Sequence, residues 1–284
     1  MLSLHTNNAA LSAQNSINRT QGSLSTSMTR LSTGYRINSA MDDAAGLQIA
    51  TRLKAQTSGM AVAMRNTQNS TSMLQTAEGA LDEVSNMIVR MKDLATQAAD
   101  ASSTTADKAA MQSEYDALGT ELNNVLNNTK FGGAALLVGG TIASAMTFQI
   151  GSSTTEKMDV DLSTQMTTLT TDVGLATANY AAPNTLGTEL SGSANATIDK
   201  LSTALASIGT VRSALGASAN RLEHVYNNLS NISTNSKAAT GRIMDVDFAS
   251  ESSKMTTSQM LLQAGTAMLK QSNSMSSMVM SLLQ

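Results

Sequence analysis

The sequence of 284 residues contains no cysteine and no tryptophan, a single proline, and only 2% aromatic residues. Without cysteine, the chain has neither a disulfide framework nor thiolate chemistry. Because rings are so scarce, other apolar side chains must build the core. The chain offers 19 methionines and many alanines, which suit close and adaptable contacts between helices. Pro183 is the single proline, so no proline interrupts a helix in the long segments before and after it.

Negative charge is missing from both ends of the chain. Residues 1–41 hold three arginines and no carboxylate, and residues 252–284 hold two lysines and no carboxylate. All 21 acidic residues lie between these ends, and the net charge of the whole chain is −3. Ends so poor in charge are typical of buried surface, whereas the centre is typical of solvated surface. The net negative charge argues against a nucleic-acid partner.

Several functional classes lack their sequence signals. No apolar run reaches membrane-spanning length, so we expect no membrane segment. The first residues lack the basic and apolar regions of a Sec signal, so we expect a cytoplasmic chain or another export route. His5 and His224 lie far apart with no nucleophile motif beside them, and HExxH is absent. We therefore predict no enzyme activity, no catalytic residue, no cofactor and no metal site.

Apolar residues recur with heptad spacing at both ends of the chain. Near the N-terminus the seam is Ala10, Ile17, Leu24 and Leu31, and we expect Ala13 and Met28 to fill the gaps between these residues. Near the C-terminus, widened by Leu262 and Leu269, the seam is Leu261, Met268, Met275 and Leu282. Isolated helices of this kind are marginal in water. The two terminal helices could pair with each other, but their combined surface would still be poor in charge. We therefore predict that both seams are buried against copies of the chain. Asymmetric contacts that do not close into a ring would then build an open helical filament.

The centre of the chain predicts long helices and a small β part. Helical periodicity covers residues 47–98, 105–127 and 195–236, with a break at 99–105 that ends one helix and caps the next. Residues 147–150 and 157–162 alternate as a β-hairpin does. The Thr- and Ala-rich stretch that follows is interpreted as a loop with at most short strands.

The predicted fold is mainly α, elongated, with long antiparallel helical rods or coiled coils and a small β-hairpin region. The predicted segments, in chain order, are a terminal core helix and connector (1–43), a helical rod (44–130), the β-hairpin region (131–165), a short variable tip (166–194), a second rod helix (195–238) and a C-terminal core helix (239–284).

Several long motifs resemble those of the bacterial flagellin family. They are LSTGYRINSAMDDAAGLQIA, EGALDEVSNMIVRMKDLATQAA and NTKFGGAALL in the N-terminal half, and LGASANRLE, GRIMDVDFASESSKMTTSQMLLQAGTAMLKQSN and MSLLQ in the C-terminal half. The resemblance covers about residues 1–165 and 195–284, in family order. It implies a self-assembling structural subunit of the flagellar filament that serves motility, with little inserted between the two halves.

The resemblance also implies particular residues and partners. Gly34, Asp42 and Asp43 match the connector between the terminal coiled coil and the next domain outward. Residues matching positions recognised by the innate immune receptor for flagellin are Arg90, Leu94, Gln97 and Glu114, with Val89 replacing a usual Gln. The implied partners are other copies of the chain, a dedicated export chaperone, and the filament cap and hook-junction proteins. The implied location is extracellular, reached through the flagellar type III apparatus.

Two other functions stay open on the sequence alone. A hook–filament junction protein of similar design would cap or connect rather than polymerise indefinitely. A secreted helical toxin or adhesin would insert into host membranes, although the chain lacks an apolar membrane hairpin.

Overall fold

The computed structural model describes residues 7–181, 183 and 186–282, the side chains of residues 276, 277 and 279–282 excepted. Helices make up most of this part of the chain: α1 (Asn8–Thr33), α2 (Ala44–Ala99), α3 (Thr105–Asn128), α4 (Ser163–Ala176), α5 (Ala178–Ala181), α6 (Glu189–Met244) and α7 (Phe248–Leu282). The strands are β1 (Lys130–Phe131), β2 (Ala134–Ala135), β3 (Met146–Gln149) and β4 (Lys157–Val160). The predicted mainly α fold with a small hairpin region is confirmed.

The chain divides into two compact units. The terminal unit comprises Met1–Thr57 and Thr234–Gln284, and the central unit comprises Ser58–Ser233. The terminal unit therefore holds α1, α7 and the connector between α1 and α2. The predicted division into six segments stays a prediction.

In the terminal unit, α1 and α7 pack against each other in antiparallel directions. The Asn7 amide donates to the Ser272 carbonyl at 3.2 Å, and the Ser27 hydroxyl donates to Glu251 at 2.7 Å. Each helix packs on the other through one face, whose residues recur with heptad spacing. On α1 the half-buried or buried positions are Ala10, Ala13, Ile17, Thr20, Leu24, Ser27, Arg30 and Leu31. On α7 they are Glu251, Met255, Ser258, Leu262, Gly265, Leu269 and Ser272.

A close approach sets the register of this pair. A Cβ atom added at Gly265 would lie 2.9 Å from Cγ1 of Ile17, so the glycine leaves the space that the isoleucine occupies. The predicted α1 seam is thus the face that packs on α7. Met28 does not fill between its members as expected, because it lies on the outer side of α1 and is exposed.

The central unit contains a large apolar core. It is formed by residues of α2, α3, α4 and α6 together with the hairpin region, and its fully buried members include Leu81, Ile88, Met91, Tyr115, Leu122, Ile142, Met166, Leu169, Ile208 and Leu215. The hydroxyl of Tyr115 donates to the Ala176 carbonyl at 2.6 Å, which satisfies a polar atom inside the core. Burial raises the pKa of this phenol well above its usual range, with smaller contributions from Glu189 and Asp116.

Polar side chains of α3 hold the start of α6. The Gln112 amide donates to Asp116 and Glu189, and its oxygen accepts from the Leu190 N–H at 2.8 Å. The helix starts earlier than predicted, at Glu189, and includes one non-helical residue, Ser193, at φ −155° and ψ 49°.

The predicted hairpin is present, with β3 and β4 paired antiparallel from Met146 opposite Val160 to Gln149 opposite Lys157. The loop predicted after it is wrong, because residues 163–176 form α4. Its buried residues Met166, Leu169, Val173 and Ala176 recur in steps of three and four. Burial of this stripe outweighs the weak helix propensity of the many threonines between.

Candidate functional site

The outward side of α7 presents a second apolar stripe. We call it the methionine face; its members, with exposed fractions from 55% to 68%, are Met260, Leu261, Met268, Met275 and Met278. At 3.6 residues per turn, these positions fall within about 100° of one another around the helix. The chain has no carboxylate after Glu251, so no acidic side chain solvates this face from α7 itself.

The two predicted seams therefore have different environments. The α1 members Ala10, Ile17, Leu24 and Leu31 lie on the side that packs on α7 in the same chain. The α7 members Leu261, Met268 and Met275 lie on the methionine face, turned away from α1. The side chain of Leu282, the remaining predicted member, lies outside the described residues. The sequence did not distinguish the methionine face from the packed face, which passes through Leu262 and Leu269.

The connector begins at Gly34, which ends α1. Its φ of 75° is a left-handed conformation that favours glycine, and its N–H donates to the Arg30 carbonyl at 2.9 Å. Two further backbone bonds join the connector to the segment between α6 and α7. The Val246 N–H donates to the Gly34 carbonyl, and the Arg36 N–H donates to the Met244 carbonyl. Backbone pairing thus holds the start of the connector, where the resemblance places Gly34.

The two connector carboxylates have separate tasks. Asp43 precedes α2, and its side chain accepts from the Gly46 N–H at 2.8 Å, as a helix-capping residue does. Asp42 instead accepts from the N–H groups of Ser39 and Asn38 and lies 3.6 Å from Arg30. The backbone N–H groups of Ser39 and then Asn38 hold the pKa of the Asp42 carboxyl below its usual value, with a smaller effect of Arg30.

Glu251 is a buried carboxylate that the sequence analysis did not single out. Its residue is 4% exposed, and besides Ser27 it faces Lys254 at 3.4 Å and Arg30 at 3.9 Å. The Ser27 hydrogen bond, followed by the charges of Lys254 and Arg30, lowers the pKa of Glu251. Its sequence signal is its position, since it is the last acidic residue before a segment that carries lysines but no carboxylate.

The predicted receptor contacts are divided between surface and core. Arg90 on α2 and Glu114 on α3 form an exposed ion pair, with Nη2 and Oε1 2.7 Å apart, and Gln97 is also exposed. Leu94 is only 3% exposed. Leu94, which the resemblance places among the receptor contacts, therefore belongs to the apolar core of the central unit and not to the exposed surface around Arg90.

The described residues hold neither a cluster of metal ligands nor a helix that could span a membrane. Within them, no three His, Asp or Glu side chains converge as metal ligands would. No helix in that same part of the chain combines the length and apolarity that crossing a bilayer requires.

Comparison with known proteins gives the family. Residues 4–141 match the bacterial flagellin N-terminal helical region, and residues 198–283 match the C-terminal helical region. The chain belongs to the bacterial flagellin family. Flagellin A of Vibrio anguillarum is 34% identical over 100% of both chains. The flagellin of Halalkalibacterium halodurans is 38% identical over 94% of both.

A solved structure assigned to the flagellar hook-associated proteins of Vibrio parahaemolyticus shares the fold. It has a TM-score of 0.58 and 17% identity, covering 72% of this chain and all of that one. With its family shown over the full length, the chain is a structural subunit of the flagellar filament, an extracellular assembly that serves bacterial motility.

Proposed function

We propose that the methionine face of α7 is the surface through which one subunit binds the next in the filament. The observation that carries this proposal is the position of the face. One side of α7 is already occupied by α1, whereas the exposed methionine face presents large apolar side chains without a carboxylate. A patch of this kind marks an interaction site. In a chain that forms filaments, the occupant we infer is a second copy of the chain.

A charge placed on the methionine face tests this proposal. We expect Met268→Glu to leave α7 helical, because Glu is a good helix former. Burying its unpaired carboxylate between subunits would cost ~3 kcal/mol or more, so seeded elongation should slow at least about 100-fold. The matched control is Leu175→Glu, which charges an exposed apolar residue of the central unit.

Electron microscopy of seeded filaments and circular dichroism of the monomers provide the two measurements. Normal elongation of the Met268→Glu subunit would remove the assignment of the face. Bounded rings or plugs from the parent chain would instead favour a junction protein.

We also propose that Arg90, Gln97 and Glu114 form a contact for the innate immune receptor for flagellin. The ion pair between Arg90 and Glu114 fixes two charged side chains from neighbouring helices on one exposed surface. Arg90→Ala should lower receptor activation by the purified monomer and leave its helix content unchanged, since the Glu114 left behind stays solvated. Arg221→Ala, at an exposed position on α6, is the control. Equal activation by the parent and the Arg90→Ala chain in a reporter assay would exclude Arg90.

The methionine face is exposed on α7 before assembly, and this exposure bears on the remaining partners. We assign the methionine face to the dedicated export chaperone, because an exposed apolar stripe needs cover in the cell. Export through the flagellar type III apparatus would then deliver the subunit to the filament end, where the cap protein and, at the base, the hook-junction proteins are its other partners.

A further inference from the structure

Two groups of methionines differ sharply in exposure, apart from the exposed Met28 and Met41 elsewhere and several half-buried ones. Those of the central core are at most 8% exposed: Met60, Met87, Met91, Met111, Met146, Met158 and Met166. Those of the methionine face are 55% exposed or more. Because the chain has no cysteine, thioethers are its only sulfur groups. An oxidant in solution therefore meets the sulfur of the methionine face long before that of the core.

We propose that Met260, Met268, Met275 and Met278 form a reversible oxidation site that stops filament assembly. This proposal rests on the proposed function of the methionine face as the surface between subunits. The reagent class is a peroxide, and hydrogen peroxide is its simplest member.

The reaction at each side chain is an oxygen transfer. The thioether sulfur attacks one peroxide oxygen, a sulfur–oxygen bond forms, the oxygen–oxygen bond breaks, and the second oxygen leaves as water. The sulfur is oxidised by two electrons, and the peroxide is reduced by two. Reversal uses two thiols, which leave as a disulfide while the sulfoxide oxygen departs as water; methionine sulfoxide reductases catalyse this step.

Oxidation changes what the methionine face can bind. A thioether adapts its shape to an apolar neighbour, whereas a sulfoxide carries a strongly polar oxygen that needs a hydrogen-bond donor. Burying such an oxygen between two apolar surfaces without a donor is unfavourable. We expect a single sulfoxide to weaken subunit addition about tenfold. The packed side of α7 has one methionine, the half-buried Met255, among glycine, serine and leucine contact positions, so the pair with α1 should survive the change.

The experiment compares three full-length chains before and after treatment with hydrogen peroxide. They are the parent, a face variant with Met260, Met268, Met275 and Met278 all changed to Leu, and a control variant, Met41→Leu. Met41 is 97% exposed in the connector, so it should oxidise as readily without lying on the methionine face. Leucine keeps volume and apolarity. Peptide mass spectrometry locates the sulfoxides, and seeded elongation measures assembly.

We expect peroxide to slow the parent and the control variant at least about tenfold, and to leave the face variant at its untreated rate. Reductase with a thiol should restore the parent as the four sulfoxides disappear. Equal sensitivity of the face variant, or normal elongation by a parent that carries these sulfoxides, would overturn the proposal.

If the face variant does not elongate before treatment, recovery of the oxidised parent after reduction becomes the test of the proposal. Recovery that follows loss of the four sulfoxides supports the proposal, and no recovery contradicts it. Failure of the assembly assignment is distinguishable, because Met268→Glu would then elongate normally. Slow elongation by Met268→Glu together with normal elongation by the oxidised parent would reject only the oxidation site.

Discussion

Among single residues, Glu251 carries the buried charge of the terminal unit. Its pKa is lowered in the folded chain by the Ser27 hydroxyl first, and then by Lys254 and Arg30. The stabilisation from a depressed carboxyl pKa is complete above the ordinary value of about 4.5 and is lost as the pH falls through the folded pKa. The terminal unit should thus weaken as the solution is acidified below about pH 4.5.

Replacing this carboxylate tests the pH dependence. Glu251→Gln should weaken the pair of α1 and α7 by ~1 kcal/mol at pH 7, because Gln still accepts from the Ser27 hydroxyl but lacks the charge that strengthens this hydrogen bond and attracts Lys254 and Arg30. The difference from the parent should shrink as the pH falls from 4.5 towards 3, where the parent is itself protonated. Hydrogen exchange of the α1 and α7 amides over this range measures it.

Part of the acid dependence should remain in the Glu251→Gln chain, since Asp42 in the same unit also has a lowered pKa. Asp42→Asn provides the matched comparison. A constant difference between the parent and Glu251→Gln chains from pH 7 to pH 3 would show that Glu251 does not titrate in this way.

At the scale of elements, α1 was predictable in detail and α7 only in outline. Apolar residues on α1 follow one heptad seam, and this seam packs. On α7, apolar residues cover two sides, so hydrophobicity alone cannot choose between them. The choice depends on fit, because the packed side places Gly265 where Ile17 needs space. That information lies in the partner helix and is not visible in the α7 sequence.

Leu94 and α4 show two other reasons for wrong predictions. Leu94 follows Met87 and Met91 in steps of seven and three, so the periodicity that predicts α2 also predicts its burial. The resemblance to a surface contact hid that signal. In α4, buried residues with helical spacing are separated by threonines whose hydroxyls donate to carbonyls four residues earlier, as Thr167 does to Ser163. Composition there suggested a loop, and tertiary burial decided the outcome.

At the scale of the whole molecule, the apolar core lies in the central unit and the methionine face in the terminal unit. We expect a chain trimmed to residues 44–240 to stay soluble, helical and monomeric, because it keeps the central core. It should not elongate seeded filaments, since it lacks α1 and α7. Circular dichroism measures the helix content, sedimentation the solubility and association state, and seeding against the full chain the elongation. Normal filaments from the trimmed chain would contradict the role given to the terminal helices.

The hydrogen bonds between α1 and α7 also bear on when the terminal unit can form. Asn7 and Ser272 are 265 positions apart in sequence, and Ser27 and Glu251 are 224 apart. Contacts this distant require closure of nearly the whole chain, and non-local contacts form slowly. During synthesis α1 leaves the ribosome before α7. We therefore expect α1 to stay without its partner until α7 has been translated.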